Sequence, residues 1–385
     1  MNYTVMPFTP EFLPNLPEDC KNKKLLYFDI ETTGLSAQSS YVYLIGCAYE
    51  KEQGYELTQW LCTDPSEEKE LLRLFFEKAS DYEVVLHYNG TGFDLPFLEK
   101  KAKRHCLTNP LSAMESLDLY STARSMKHLF ALPNLKLKTM EQFFGFTRTD
   151  VFSGGDLIEV YAQFLGLHHL NSLTAGSKAE EENALAQVLL LHNAEDVMNL
   201  PALTVLYFLR NLSGHLPENT LQAELYDTPL KKLLSLTYSP TLSVPKDISF
   251  QLPWEEDFLS LELSAADRTV TLTLPVYEGE LKYFYPNPAD YYYLPLEDCA
   301  MHKSVASFVE KEYRKKATAA TCYTKRTGLF LPLLKKEAGK DVNNTLPCFF
   351  TDYKSSFAYT PFSIFPEDAP VDLTALTASL LRSLL

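Results

Sequence analysis

The chain has 385 residues, 46% of them hydrophobic and 22% charged, which is the composition of a folded globular protein and, at this length, predicts two domains. No apolar run approaches the roughly 18 residues that a membrane span needs, so we do not expect a membrane protein. A formal net charge of -15 excludes a surface that binds nucleic acid everywhere, because phosphate binding depends on Lys and Arg, and it confines any such binding to local patches.

The first residues do not resemble a secretory signal. The chain begins Met1-Asn2-Tyr3-Thr4 without a cationic start, and Pro7 and Pro10 interrupt any early apolar stretch. The 7 cysteines are scattered and include no Cys-x-x-Cys pair, which argues against a disulfide framework and against a structural zinc site. We therefore expect a cytoplasmic protein with reduced thiols.

The chain up to about residue 210 has the pattern of an α/β domain. Apolar or alternating runs at 24–30, 41–49 and 55–62 predict three consecutive strands. Ser66 then offers an N-cap for an amphipathic helix, a fourth strand is predicted at 84–87, and helical stretches continue from there. This order predicts an α/β layer arrangement.

The pattern changes beyond 211–217, a polar segment with Gly and Pro that we predict to be a linker. Alternating runs at 259–263 and 270–274, and a further run that follows Glu278-Gly279, predict a β-meander. Helices are predicted from about His302 to Lys316 and, as a short amphipathic tail, from Asp372 to Leu385.

These elements divide the chain into three parts. Residues 1–23 are predicted to form an N-terminal extension, residues 24–210 the α/β domain, and residues 218–385 a β-rich second domain of the α+β class. Residues 303–340 hold ten basic side chains against three acidic ones, a net charge of +7. A basic helix face beside Tyr313 would suit single-stranded nucleic acid, although an ordinary solvated face has the same pattern.

Two carboxylates mark the end of the first predicted strand. Asp29 and Glu31 stand two residues apart, so the pleat places both on one face. In the following Thr32-Thr33-Gly34-Leu35, Gly34 is free to form a tight turn. Taken alone, such a pair is more often two solvated acids at a strand exit.

A third carboxylate, Asp94, stands where the fourth strand gives way to a helix, at the end of Asn89-Gly90-Thr91-Gly92-Phe93-Asp94. With Pro96 in the first helical turn, Asp94 is well placed to act as an N-cap. A carboxylate at a helix start can still bind an ion through its outer face, so both roles are compatible.

A fourth carboxylate lies on a helix near 185–199. Helical spacing places His192 and Asp196 on one core-facing stripe. A buried carboxylate needs compensation, which a divalent cation supplies. The alternative is a core histidine that is hydrogen-bonded to the aspartate one turn away.

Together these segments resemble the three sequential motifs of DEDD-type 3′-to-5′ exonucleases of the DnaQ class. The motifs are Asp29-x-Glu31 followed by Thr-Thr-Gly, Asn89-x-x-x-Phe93-Asp94, and His192-x-x-x-Asp196. The chain is further similar to the YprB-like branch of RNase H-like proteins at Leu137, Glu141, Gly145, Arg148, Asp150, Gly154, Gly155 and Tyr161. The resemblance spans about residues 24–210 and implies an RNase H-like mixed sheet flanked by helices. In the third motif this family has Tyr four residues before the Asp or His five before it, whereas His192 stands four before Asp196.

The resemblance implies a nuclease that removes nucleotides from a 3′ end with two divalent cations, Mg²⁺ or Mn²⁺. It implies four metal ligands and one general base, and the members of this catalytic set are Asp29, Glu31, Asp94, Asp196 and, as the base, His192. It also implies contacts of Leu35 and of the backbone at Thr32 and Thr33 with the terminal nucleotide, and of Asn89 with a sugar or phosphate. Each of these has a turn-stabilising or packing alternative.

Two further side chains have open interpretations. His87 shares a strand face with Asn89 and is either a second base or a hydrogen-bonded strand histidine. Arg148 either clamps a phosphate or pairs with a loop acid such as Asp150.

Two other functions remain open besides the exonuclease. One is a non-catalytic nucleic-acid-binding or scaffold protein, which the presence of all four carboxylates disfavours. The other is a nuclease that cuts internally, because the same carboxylates serve both reactions. DNA and RNA are not distinguished, since discrimination depends on contacts to the 2′-hydroxyl, and no protein partner is predicted.

Overall fold

The computed structural model describes residues 1–12, 14–174, 176–217, 221–254, 257–333, 346–363 and 372–385. The chain divides into two units, Met1–Arg210 and Asn211–Leu385. No helix in these described ranges is both long and apolar enough to cross a membrane.

The strands of the first unit form one sheet, and their bounds are β1 (Asn2–Phe8), β2 (Leu25–Thr32), β3 (Val42–Lys51), β4 (Gly54–Leu61), β5 (Val84–His87) and β6 (Glu115–Asp118). Its helices are α1 (Glu68–Ala79), α2 (Asp94–His105), α3 (Leu119–Ser125), α4 (Leu137–Phe144), α5 (Gly154–Leu173), α6 (Ala179–Met198), α7 (Leu200–Leu203) and α8 (Val205–Arg210).

The sheet has the order β1-β4-β3-β2-β5-β6. Strands β1 to β4 pair antiparallel, whereas β2, β5 and β6 pair parallel. The predicted α/β class, a mixed sheet flanked by helices, is confirmed. Strand β2 lies in the middle of the sheet, and the carboxyl ends of β2, β5 and β6 meet at one edge, which is where ligands bind in many α/β proteins.

Helix α1 begins differently from the prediction. The chain makes a 3₁₀ turn at Pro65–Glu67, where the Asp64 side chain accepts the Ser66 amide and Glu67 reciprocates in a capping box. The side-chain cap therefore lies on the 3₁₀ turn and not on α1, whose N-cap position is Glu67 without a side-chain hydrogen bond, so the cap predicted at Ser66 is wrong. The apolar stripe of α1 is buried as expected, with Leu71, Leu72, Phe75 and Phe76 in the core.

Helix α6 packs closely against the sheet because β3 has a glycine at the contact. A Cβ atom on Gly46 would lie 2.1 Å from Asn193 Oδ1. The Gln59 side chain of β4 donates to that same oxygen and to the Leu190 carbonyl, each at 2.9 Å. These buried hydrogen bonds fix the height of α6 over the centre of the sheet.

Residues 1–23, predicted to be an extension, include β1, which pairs with β4 along its whole length from Asn2↔Leu61 to Phe8↔Tyr55. The sheet therefore begins well before residue 24. Pairing of this kind depends on backbone hydrogen bonds to a strand more than 45 residues away in sequence, and the mainly exposed β1 shows no buried alternation that would reveal it.

The strands of the second unit are β7 (Gln222–Asp227), β8 (Lys232–Tyr238), β9 (Ile248–Trp254), β10 (Asp257–Ser264), β11 (Thr269–Phe284), β12 (Tyr291–Leu294), β13 (Cys299–His302), β14 (Lys315–Lys316), β15 (Tyr323–Leu333) and β16 (Ala358–Phe362). Its helices are α9 (Lys303–Ala306) and α10 (Leu373–Leu384). All strand pairs of this unit are antiparallel in the described ranges. The predicted β-rich class is confirmed, as is the C-terminal helix.

Two predictions for this unit are wrong in detail. The break predicted at Glu278-Gly279 lies inside β11, whose first half pairs with β8 and β10 and whose second half pairs with β15. The helix predicted over 302–316 is replaced by α9, a 3₁₀ turn at Lys311–Tyr313 and β14, because Lys315 and Lys316 pair with β12. The basic residues Lys335, Lys336 and Lys340 lie outside the described residues.

Candidate metal centre

Asp29 and Glu31 lie at the end of the central strand β2, as predicted. Glu31 is buried and Asp29 is partly buried. The register between β2 and β3 shifts by one residue at Glu31/Thr32, so Tyr43 of β3 has no opposite partner. The Asn193 side chain of α6 donates to Asp29 Oδ2 at 3.2 Å, which fixes the first carboxylate from the helix side.

Asp94 is the first residue of α2 and does not cap it. The N-cap position is Phe93, without a side-chain hydrogen bond. The Asp94 carboxylate instead accepts hydrogen bonds from its own amide and from the amide of Ile30, the β2 residue between Asp29 and Glu31. This contact brings the third carboxylate to the end of the same strand.

Helix α6 contributes His192 and Asp196 from the opposite side. His192 is 4% exposed, and its Nε2 lies 3.4 Å from Glu31 Oε1 and 3.4 Å from Asp196 Oδ2. Three potential ligand atoms, one each from Glu31, His192 and Asp196, lie within 4.8 Å of one another. The predicted strand and helix residues therefore meet in one place.

A loop between α4 and α5 closes this centre with Arg148 and Asp150. Asp150 Oδ2 lies 2.7 Å from His192 Nδ1, on the far side of the imidazole from the other carboxylates. Arg148 contacts four acids, at 2.5 Å from Asp196, 2.9 Å from Glu141, 3.3 Å from Asp150 and 3.4 Å from Glu195. Of the two interpretations of Arg148, the ion pair with loop and helix acids is the one that the structure shows.

The carboxylates repel one another strongly. Burial raises the pKa of Asp29 well above its ordinary value, and repulsion from Asp196 and Asp94 raises it further. The pKa of Glu31 is raised in the same way, first by burial and then by Asp196 and Asp94. Burial also raises the pKa of Asp94 to about 7, in spite of the backbone amides that stabilise its charged form. A cation placed among these groups would relieve both the burial and the repulsion.

The donor set fits a divalent cation. It consists of carboxylate oxygens, which suit Mg²⁺ and Mn²⁺, and one imidazole nitrogen. Asp196 Oδ1 lies 2.5 Å from Arg148 Nη2, whereas Asp196 Oδ2 faces His192 Nε2 at 3.4 Å. The four predicted ligands, Asp29, Glu31, Asp94 and Asp196, thus offer such donors near His192, and their binding of metal remains a prediction.

Another acidic group in the same unit fits metal less well. Asp19, Cys20 and Glu115 also offer three ligand atoms within 4.8 Å. However, Lys23 Nζ already lies 2.5 Å from Glu115 Oε2, and burial together with Glu115 raises the pKa of the Cys20 thiol to about 11. A protonated thiol and a neutralised carboxylate are poor ligands.

Comparison with known proteins places the first unit in a family. The model of the RNase_H superfamily matches residues 26–207. Residues 26–207 form an RNase H superfamily domain. A DNA polymerase from Pyrococcus glycovorans is 33% identical over 97 residues, which cover 23% of this chain and 12% of that relative. The chain therefore matches only a small part of the polymerase.

Two solved structures are similar at low sequence identity. A family B DNA polymerase from Pyrobaculum calidifontis gives a TM-score of 0.35 at 15% identity, covering 76% of this chain and 41% of the polymerase. Exonuclease I of E. coli in a zinc-bound complex with single-stranded DNA gives a TM-score of 0.30 at 11% identity, covering 60% of this chain and 54% of the exonuclease.

The four residues predicted to contact substrate lie at the end of β2, in the turn that follows it and in the loop before α2. Thr32 donates from Oγ1 to the Gly34 carbonyl at 3.0 Å, and Thr33 Oγ1 accepts the Tyr41 amide at 3.1 Å. Both hydroxyls therefore stabilise the turn after β2, and the turn leaves Leu35 88% exposed.

Leu35 lines a cavity of about 380 Å³ together with Phe93, Pro96, Phe97 and Lys100, among others. Asn89, on the loop before α2, has a left-handed backbone with φ of 63°. Its amide donates to Asp118 Oδ1 at 2.9 Å. Leu35 and Asn89 thus lie on loops near the N-terminus of α2, and their contacts with substrate remain predictions.

His87 has the geometry of a structural histidine. Its Nδ1 accepts the Gly90 amide at 3.0 Å, and its Nε2 lies 2.8 Å from Ser116 Oγ. Burial lowers the pKa of His87 to about 4, and the opposing charge of Asp118 does not restore it. Both ring nitrogens are already paired, which favours the strand-histidine interpretation over a second base.

Sequence reasoning missed Asn193 and the contact of Asp150 with His192. Asn193 adjoins His192 and carries an amide, yet nothing in the helical period distinguishes it from an ordinary core-facing polar residue. Asp150 is predicted only as part of the family resemblance and as a possible partner of Arg148, and its partner His192 lies 42 residues away in sequence. Contacts of this kind are set by the path of a loop, which periodicity does not describe.

Proposed function

We propose that the RNase H superfamily domain is a metal-dependent nuclease that removes nucleotides from the 3′ end of DNA or RNA. The observation that supports this most is the meeting of Asp29, Glu31, Asp94 and Asp196 at the end of one strand, with raised pKa values at the first three. A protein keeps so costly an arrangement when a bound cation stabilises it. The match to the RNase_H superfamily also supports hydrolysis as the reaction at this cluster.

Each carboxylate has a role in the proposal. Asp29, whose Oδ2 accepts the Asn193 amide, would help to hold both cations. Glu31 and Asp196, whose oxygens lie 3.4 Å from the imidazole, would hold one of them beside His192. Asp94, which accepts the Ile30 amide, would hold the other. Two such cations, Mg²⁺ or Mn²⁺, lower the pKa of water and neutralise the leaving oxygen in phosphodiester hydrolysis.

The substrate reaches this centre past the turn after β2. We propose that Leu35 and the backbone at Thr32 and Thr33 contact the terminal nucleotide. Leu35 is exposed beside the cavity that Phe93 and Phe97 line, which suits the apolar face of a base. Asn89 then faces a sugar or phosphate oxygen from the loop before α2.

His192 was predicted to be the general base. Its Nδ1 is paired with Asp150, so Nε2 is the nitrogen that faces Glu31 and Asp196. In the neutral tautomer with hydrogen on Nδ1, this Nε2 lone pair can accept a proton from water or bind a cation.

The test is a cleavage assay with end-labelled single- and double-stranded DNA and RNA, in Mg²⁺ or Mn²⁺. We expect a ladder that recedes from the 3′ end. In Asp29→Asn the rate should fall by more than about 100-fold, the scale of losing one electrostatic group of a catalytic site. Glu52→Gln, which neutralises an exposed carboxylate of the same domain, should leave the rate unchanged.

Three other results would change the proposal. Internal cuts would replace the 3′-to-5′ polarity with an endonuclease. Binding of nucleic acid without cleavage in either metal would leave a non-catalytic binding protein. Equal loss in Asp29→Asn and Glu52→Gln would show that the effect is not specific to the proposed centre.

A further inference from the structure

The two nitrogens of the His192 imidazole face different carboxylates. On one side Asp150 Oδ2 lies 2.7 Å from Nδ1, with the Asp150 side chain only 1% exposed. On the other side Nε2 lies 3.4 Å from both Glu31 Oε1 and Asp196 Oδ2, and it makes no hydrogen bond in the described part of the chain. The ring therefore presents one nitrogen to two carboxylate oxygens.

In the neutral ring with hydrogen on Nδ1, this arrangement leaves Nε2 without a donor, and a cation among the three atoms would be bound by all of them. When Nδ1 carries the hydrogen for Asp150, the lone pair of Nε2 points toward oxygens that are themselves electron-rich. A doubly protonated ring would place a donor there, yet at 3.4 Å neither oxygen accepts a hydrogen bond from it. Neighbouring ligands of one ion at about 2.0–2.2 Å are about 3.0–3.5 Å apart, and the two separations from Nε2, each 3.4 Å, fall in that range.

Asp150 has the features of a group that orients a metal-bound histidine. Carboxylates that accept the second N–H of such a histidine fix its tautomer and its ring plane. Asp150 is itself fixed by Lys138 Nζ at 2.6 Å and by the amide of Phe152 at 3.0 Å. The imidazole consequently has little freedom to rotate away from the carboxylates.

The two oxygens of Asp196 face different groups. Its Oδ1 lies 2.5 Å from Arg148 Nη2, so Oδ2 remains for the group that it shares with Glu31 and His192. Arg148 also contacts Asp150 at 3.3 Å, and thus one guanidinium supports both the ligand and the residue that orients the histidine.

We propose that His192 binds the cation of Glu31 and Asp196 through Nε2, with Asp150 as its positioning residue, so that this position prefers Mn²⁺ to Mg²⁺. The preference follows because Mg²⁺ takes oxygen ligands almost exclusively, whereas transition-metal ions accept imidazole nitrogen. The inference rests on the proposed function only in that both need a cation at this centre.

The test is pulsed EPR of Mn²⁺ bound to the full chain, which detects a coordinated ¹⁴N, together with calorimetric titration by Mn²⁺ and Mg²⁺. We expect a ¹⁴N coupling in the wild type that His192→Phe abolishes. The Mn²⁺ affinity should fall by at least about tenfold in His192→Phe and by about 10–100-fold in Asp150→Asn, with a smaller loss for Mg²⁺. His168→Phe is the matched control, because His168 also pairs with a carboxylate, Glu182 at 2.7 Å, but lies outside the centre.

Bound Mn²⁺ without ¹⁴N coupling in the wild type would overturn the inference, whatever the variants do. Unchanged Mn²⁺ affinity in His192→Phe with slower cleavage would also overturn it and make His192 the base. A ¹⁴N coupling in a protein that cleaves nothing would leave this inference standing and remove the proposed function. Cleavage without a ¹⁴N coupling would leave the proposed function standing and remove this inference.

Discussion

Replacing Arg148 by Met removes a buried cation that lies within 3.4 Å of four carboxylates, with its own side chain 8% exposed. Glu141 is 0% exposed, and among the described residues Asn199 is the one side chain that still donates to it once the guanidinium is gone. The nearby Lys138 does not replace Arg148, because its ammonium already pairs with Asp150. The variant therefore leaves buried negative charge without compensation.

Removing one partner of a buried ion pair costs about 3–5 kcal/mol. For a domain of roughly 200 residues, 1 kcal/mol shifts Tm by about 2–4 °C, so we expect Arg148→Met to lower the Tm of the metal-free first unit by about 6–20 °C. Arg73→Met is the matched control, since Arg73 also pairs with two glutamates, at 2.8 and 2.9 Å, but is 48% exposed. It should cost less than about 1 kcal/mol.

Differential scanning calorimetry of the full chain in the presence of a chelator measures both shifts. Adding Glu141→Gln to Arg148→Met should restore part of the lost stability, because it removes one of the uncompensated charges. Equal shifts for the Arg148 and Arg73 variants would refute the electrostatic reasoning. So would a double variant less stable than Arg148→Met alone.

Three further predictions concern packing and pH. Gly46→Ala should destabilise the first unit by about 1–3 kcal/mol, because the new methyl group would meet Asn193 Oδ1 at 2.1 Å. Gly166→Ala is the control, since Gly166 lies in an exposed helical position with nothing within 4 Å, and it should stabilise the unit by about 0.5–1 kcal/mol. Urea unfolding measures both changes. Burial lowers the pKa of His87 to about 4, below the ordinary value near 6.5, so the unfolded chain takes up the proton first as pH falls. The free energy of unfolding should therefore decrease as pH falls from about 6.5 to about 4. A His87→Gln variant in which this pH dependence is unchanged would contradict the prediction. Burial raises the pKa of Asp94 to about 7, so protons compete with metal for this carboxylate below that pH. Mn²⁺ affinity measured by calorimetry should therefore rise from about pH 5.5 to about pH 8. An affinity that does not change over this range would count against Asp94 as a ligand.

Local periodicity was sufficient to place the main elements of the first unit. The strand predicted at 84–87 is β5 at Val84–His87, and the run at 55–62 is β4 at Gly54–Leu61. Burial goes further than the alternation at 55–62 predicts, since Thr58 and Gln59 of β4 are buried as well. The apolar pattern is a property of the segment itself, and so the sequence shows it directly.

Elements that depend on a distant partner were not predictable in this way. Strand β1 exists because β4 offers a free edge, and β14 exists because Lys315 and Lys316 pair with Tyr292 and Tyr293. In the second case the sequence favours a helix, and tertiary pairing overrides that preference.

The candidate site also contains residues that local periodicity predicts and residues that depend on distant contacts. Asp29, Glu31 and Asp196 follow from strand and helix periods combined with the family resemblance, and the structure brings them together with Asp94. The contacts of Arg148 and Asp150 arise from a loop between α4 and α5, where no period operates. Through Asp150, this loop determines which nitrogen of His192 faces Glu31 and Asp196.

The most direct measurement is anomalous diffraction from crystals of the full chain soaked in Mn²⁺. We predict one peak within about 2.0–2.3 Å of Glu31, Asp196 and His192 Nε2, and a second beside Asp29 and Asp94 at about 4 Å from the first. Saturating Mn²⁺ with no peak among these five residues would contradict a metal-dependent nuclease at this centre.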